Sequence, residues 1–183
     1  MSKVKTIKEQ YNNSVSDLQK DLNLDNVMLV PTVEKVVINT GTGKFDKNKE
    51  ALAEVEQALK DITGQQPIKT KAKKSLSGFK IREGQNVGMK VTLRGTRMWD
   101  FLDRFVSTAL PRVRDFHGIE TKVIDSNGNL NVGIKEHTIF PEIVAERVKN
   151  PFGFQVTVVS TADNKEDAEK LYRVLGFPLQ KEE

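Results

Sequence analysis

The chain has no cysteine, which excludes disulfides and thiolate metal sites and fits a reducing compartment. It has only two histidines, His117 and His137, on separate segments and without the short spacing of a metal-binding pair. Either could pair with a neighbouring carboxylate, Asp115 or Glu136, but no nucleophile accompanies them, so surface or hydrogen-bonded structural roles are expected. No apolar run approaches the ~18 residues of a membrane span. The opening MSKVKTIKEQYNNSV lacks the apolar stretch of a signal peptide. Asn12-Asn13-Ser14 matches a glycosylation sequon, a match without consequence in a chain that is not secreted. Repeats, low-complexity segments and linkers are absent. No metal, cofactor or membrane partner is expected.

Acidic charge is scarce in one place. Residues 64–99 carry nine basic side chains against the single acid Glu83, a net of +8, whereas residues 1–63 sum to −1 and residues 100–183 to −3. The overall +4 would decide little; its concentration in one central fifth creates a local field that attracts polyanions, nucleic acid above all. A length of 183 residues with 37% hydrophobic and 30% charged side chains fits one domain, 1–183, with a real core.

Apolar spacing predicts a helix over 6–22 on Ile7, Tyr11, Val15, Leu18 and Leu22. The β-branched stretch TVEKVVINTG reads as a strand ending at Gly41. NKEALAEVEQALKDITG reads as a helix buried through Leu52, Val55, Leu59 and Ile62, stopped at Gly64. PIKTKA is a short strand, and VGMKVTLRG is a strand with Val87, Met89, Val91 and Leu93 on one face and Lys90, Thr92 and Arg94 on the other. TRMWDFLDRFVSTALP is the clearest helix, and Pro111 follows it. NLNVGIKEH and FGFQVTVVST read as strands around a helical turn in PEIVAERV. ADNKEDAEKLYRVLG is a last helix with a cap at Asp163 or Asn164 and a stop at Gly176. The pattern is α+β: a mostly antiparallel sheet with helices packed on one face, RRM-like or ferredoxin-like, and its other face free for RNA.

Two enzyme motifs fail on inspection. Gly41-Thr42-Gly43-Lys44 resembles the end of a phosphate-binding loop, but Ile38 stands where the first glycine is required and Phe45 where the magnesium-binding hydroxyl belongs. A glycine-rich strand-to-loop turn is the expected reading. Ser77-Gly78-Phe79-Lys80 has the spacing of a serine–lysine hydrolase, yet Ser-Gly is a poor helix start and no partner motif follows. The surrounding KTKAKKSLSGFKIREG carries the stronger signal. Lys69, Lys71 and Lys73 alternate, so an extended chain projects them from one side, and Ser75, Ser77 and Gly78 begin a flexible turn. Phe79 lies among cations, as in RNA binders where a ring stacks on a base and lysines take phosphates. The same residues also fit a solvated loop with Phe79 tucked into the core. The continuation of positive charge into Arg82, Lys90, Arg94 and Arg97 favours RNA.

Several blocks then occur in one order: VEKVVINTGTG, ITGQQPIKTKAKKSLSGFKIREGQNVGMKVTLRG, RMWDFLDRF, ALPRVRDFHGI, IKEHTIFPEI and VLGFP. From about residue 10 to 179 the chain resembles the bacterial large-subunit ribosomal protein five family. The resemblance implies a non-enzymatic, cytoplasmic, ribosomal protein that attaches 5S ribosomal RNA to the central protuberance. It places the 5S contact on Asn39, Gln65 and Thr92, neutral groups able to reach 2′-hydroxyls and base edges. It also implies that the loop around 72–82, with Lys73, Lys74, Ser75 and Lys80, reaches the peptidyl-site transfer RNA. Arg112, Arg114 and His117 fall nearer the small-subunit head protein in an intersubunit bridge, and 23S-type ribosomal RNA and neighbouring ribosomal proteins are further implied partners. The family commonly has Arg where His117 stands, which makes a charge-dependent contact there sensitive to pH. It often has Glu-Gln where Glu136-His137 stand. The alternatives are a nucleotide-handling enzyme dependent on Lys44, and an RNA chaperone that binds many RNAs alike through phosphates.

Overall fold

A computed structural model describes residues 6–45, 48–114, 116–144, 146 and 148–180. The elements are α1 (Ile7–Asp21), β1 (Val33–Gly41), α2 (Lys49–Thr63), β2 (Ile68–Lys71), β3 (Asn86–Leu93), α3 (Gly95–Arg104), β4 (Leu130–Ile134), β5 (Phe154–Ser160) and α4 (Lys165–Val174). Local chemistry accounts for several of the helix ends. The Thr6 side chain accepts the Glu9 N–H while the Glu9 carboxylate accepts the Thr6 N–H, a reciprocal cap that starts α1. Asn48 accepts the Glu50 and Ala51 N–H groups at the start of α2, and Gly64 ends that helix at φ +67°. Asn164 holds the cap position of α4, although its side chain makes no capping bond. The long helix expected over TRMWDFLDRFVSTALP is regular only to Arg104. It widens into a π-helical turn at Phe105–Ala109 and closes in a 3-10 turn at Leu110–Arg112, around Pro111.

The five strands form one antiparallel sheet in the order β2-β3-β1-β5-β4. With β5 as the closing strand, the path β1-α2-β2-β3-α3-β5 has the split βαβ arrangement expected of an RRM-like fold, and β4 is appended at the edge.

Contacts gather into two compact units. The first comprises Met1–Val36, Arg94–Val132 and Thr157–Glu183. In it Tyr11 of α1 stacks on Trp99 of α3 with ring centroids 5.9 Å apart. The Asp103 carboxylate accepts the Ile7 N–H at 3.3 Å. Tyr172 of α4 is fully buried, its hydroxyl 2.9 Å from the Gly128 carbonyl and 3.0 Å from that of Val158. Burial pushes the Tyr172 hydroxyl pKa up to about 12.

The second unit comprises Val37–Leu93 and Gly133–Val156. Its core takes Ala51, Val55, Ala58, Leu59 and Ile62 from α2 and Met89, Val91 and Leu93 from β3. Leu52, expected in the stripe, is only half-buried, because the neighbouring Ala51 and Ala58 take the inward positions. Among the described residues of 141–148, Pro141–Glu142 form a turn and Glu146 is in 3-10 conformation, with no α-helix, and a 3-10 turn at His137–Ile139 precedes them. His137 is buried, its ring 4.1 Å from and nearly parallel to that of Phe152, with Nδ1 accepting the Phe152 N–H at 3.4 Å. Burial lowers its pKa, against the opposing pull of Glu54 and Glu136. Glu54 of α2 anchors this stretch by accepting the Asn150 side-chain amide at 2.7 Å and the Lys149 N–H at 2.9 Å. The Asn150 bond chiefly holds the Glu54 carboxyl below its ordinary value.

Candidate nucleic-acid interface

Strand alternation builds the site within the second unit. Met89, Val91 and Leu93 point into the core, so Gly88, Lys90 and Thr92 turn to the opposite face. β2 pairs antiparallel with β3, Ile68 opposite Lys90 and Thr70 opposite Gly88, which adds Ile68 and Thr70 to that face. β1 lies on the other side of β3. There Ile38 and Thr40 are buried, so Val37 and exposed Asn39 turn outward. There is no room for a side chain at Gly88: a Cβ there would stand 2.7 Å from the Thr40 carbonyl oxygen and 2.9 Å from the Thr70 hydroxyl. The Thr42 N–H donates to the Val87 carbonyl at 3.0 Å beside this position.

Gln65 is fixed by its neighbours. Its N–H donates to the Thr63 hydroxyl at 3.2 Å, and its side-chain Nε2 donates to the Thr92 carbonyl at 3.2 Å. Gln65 and Thr92 are therefore brought together, 27 positions apart in sequence, and Asn39 stands on the strand adjoining Thr92. With Nε2 partly engaged, Gln65 has its Oε1 acceptor left to offer a ligand hydroxyl or amino group.

The basic stretch departs from the expected row of lysines. Lys69 lies opposite Met89, on the helix side of the sheet, with Nζ 2.8 Å from a Glu56 carboxylate oxygen of α2. A register irregularity between Thr70 and Lys71 breaks the alternation that would have aligned Lys71 with it. Beyond β2 the chain forms a backbone-bonded hairpin around the turn expected at Ser75–Gly78. Ala72 donates to the Gln85 carbonyl and Gly84 to that of Ala72. Leu76 and Ile81 exchange backbone bonds of 2.9 and 3.1 Å around a 3-10 turn at Ser77–Phe79. The Ser75 hydroxyl accepts the Glu83 N–H at 3.0 Å, so Ser75 shapes the loop while Lys73, Lys74 and Lys80 are exposed. The turn closes at Lys80, whose φ of +55° is in the left-handed region. Phe79 is not tucked into the core; it is 78% exposed.

Gly41–Lys44 is the end of β1 running into a 3-10 turn at Gly43–Phe45, the strand-to-loop turn expected of it. Arg112, Arg114 and His117 are exposed in the first unit after the π-helical turn. The His117 carbonyl accepts the Gln180 side-chain amide at 3.0 Å. Asp115, considered as its partner, lies outside the described residues. Composition does not mark Ile68 and Thr70, because the charge of the intervening Lys69 dominates this stretch. Their parity with Lys90 across the ladder was the available signal.

Comparison with known proteins matches the chain to a family. Residues 26–82 match the family model described as ribosomal protein L5, and residues 86–179 match the model of the same ribosomal family's C-terminus. A large ribosomal subunit protein uL5 from Dehalococcoides mccartyi is 44% identical over 176 residues, covering 96% of this chain and 98% of its own. Proteins of the same name from Acholeplasma laidlawii and Streptococcus thermophilus are each 47% identical, covering 95% and 96% of this chain and 97% and 98% of theirs. With both family models matched in succession and such identity over nearly the whole length, the chain belongs to the ribosomal protein L5 family.

Proposed function

We propose that the chain fixes 5S ribosomal RNA through the open face of its sheet, with Asn39, Gln65 and Thr92 as the recognising groups. Membership of the L5 family makes it a structural constituent of the large ribosomal subunit and not an enzyme. The observation that carries the finer reading is the Gln65 side-chain bond to the Thr92 carbonyl of β3, with Asn39 turned outward on the neighbouring strand β1. Neutral donors and acceptors on a fixed surface suit the shape, 2′-hydroxyls and base edges of one folded RNA. Lys90, exposed on the same face, adds a phosphate contact. The hairpin 72–85 carries a second role, contact with peptidyl-site transfer RNA through Lys73, Lys74, Ser75 and Lys80. Arg112, Arg114 and His117 form the contact with the small-subunit head protein. Adjacent 23S-type RNA and neighbouring ribosomal proteins complete the surroundings of a protein acting in the cytoplasmic ribosome.

The test is titration of 5S RNA by calorimetry or filter binding. Asn39→Ala, Gln65→Ala and Thr92→Ala are each expected to weaken binding by about 1–3 kcal/mol, the cost of a lost polar partner. Circular dichroism should show that the fold is retained. A triple variant that binds 5S RNA as tightly as the unaltered protein would remove the assignment.

A further inference from the structure

We propose that Phe79 is a nucleobase-stacking platform, so that the hairpin 72–85 grips an outward-facing base or terminal base pair of a folded RNA as well as its phosphates. The proposal rests on the reading of this hairpin as the transfer-RNA contact, and it names a group that phosphate neutralisation would not require. A flexible loop could fold an aromatic ring back against the protein. This one is held by the reciprocal Leu76–Ile81 bonds, by Ser75 Oγ accepting the Glu83 N–H, and by Gln85 Oε1 accepting the Arg82 N–H at 2.9 Å. Lys80, in the left-handed region directly after Phe79, closes the turn. The ring is thus presented at 78% exposure on a preorganised tip, with Leu76 beside it at 52%.

Charge selects the occupant. Lys73, Lys74, Lys80 and Arg82 flank the ring, opposed only by Glu83, and cations around an exposed aromatic are the arrangement that takes successive phosphates and a base face together. A basic protein surface would be repelled. Continuous duplex RNA keeps its base faces stacked inside, so the ring requires an RNA whose fold turns a base face outward.

Large subunits reconstituted with the full-length protein or its variants, joined to small subunits, test this through the affinity of deacylated transfer RNA for the peptidyl site over a range of salt. Phe79→Ala should weaken binding about 5- to 150-fold, the span of one base–aromatic stack, and leave the salt dependence unchanged. Phe79→Trp should bind as well as Phe, and Phe79→Leu should behave like the alanine variant. Combined Lys73→Ala and Lys74→Ala should instead flatten the salt dependence, by about 0.7 in log–log slope for each phosphate no longer neutralised. If only the lysine variant weakens binding, the stacking proposal falls while the transfer-RNA reading stands. If neither does, the reading beneath it falls as well. If Phe79→Leu binds as well as Phe, or if Phe79→Ala impairs subunit joining without transfer RNA, the ring meets a protein pocket and the proposal is overturned.

Discussion

Gly88→Ala should damage the interface without touching any group that contacts RNA. The substitution adds a single methyl group to β3. That methyl carbon would stand 2.7 Å from the Thr40 carbonyl oxygen and 2.9 Å from the Thr70 hydroxyl. The threonine side chain can rotate away, whereas the carbonyl belongs to the sheet and moves only with β1. Overpacking of this kind costs about 1–3 kcal/mol. Separation of the strands also stretches the 3.0 Å Thr42–Val87 bond, a loss of about 0.5–1.5 kcal/mol. Replacing glycine restricts the unfolded chain and returns about 0.4–1 kcal/mol. The net is a destabilisation of about 2 kcal/mol, or a fall in Tm of about 4–8 °C for a chain of this size. Urea and thermal unfolding measure it. 5S RNA binding should fall in parallel, because Asn39 precedes the displaced Thr40. Adding Thr70→Ala to Gly88→Ala should restore only the side-chain share of the loss. An unchanged Tm for Gly88→Ala would refute the claim that there is no room for a side chain at Gly88.

Two further outcomes concern stability. Burial depresses the His137 pKa, so the unfolded chain takes up this proton before the folded one does as the pH falls. The stabilisation is complete above the unfolded value of ~6.5 and declines below it, and His137→Phe should flatten the dependence of Tm on pH between about 7 and 5. Tyr172→Phe removes a buried hydroxyl that lies within hydrogen-bonding distance of the Gly128 and Val158 carbonyls. It should cost about 1–3 kcal/mol in urea unfolding, with 5S binding unchanged once the protein is folded.

The strands and helices were legible because their apolar periods were clean. Met89, Val91 and Leu93 alternate on β3 as expected, and Gly64 stops α2 where a left-handed residue was required. The π-helical widening at Phe105–Ala109 was not legible, since its residues continue an apolar helical stripe and carry no local mark. Composition located a basic region but not its geometry. Only the β2–β3 register shows Lys69 turned toward Glu56 and away from the open face, and only the backbone bonds of the hairpin show Phe79 held outward. Asn39, Gln65 and Thr92 came from family resemblance, because neutral polar residues scattered over three segments leave no compositional trace. The structure adds the Gln65–Thr92 bond, a pairing that depends on the sheet having formed.

β2 is also the outer strand at one end of the sheet, four residues long, with a register irregularity, two lysines and an Ile68 that is 68% exposed. An unpaired strand edge invites another chain to add to it, and an exposed isoleucine there strengthens the invitation. Shortness, a kink and lysine charge are the means by which edges resist such addition. The positive charge of β2 is therefore placed to guard the sheet edge, independently of any RNA. Edge-to-edge addition of newly made copies is what such charge opposes, so exchanging Lys69 and Lys71 for neutral residues should trade solubility for fibril-like growth.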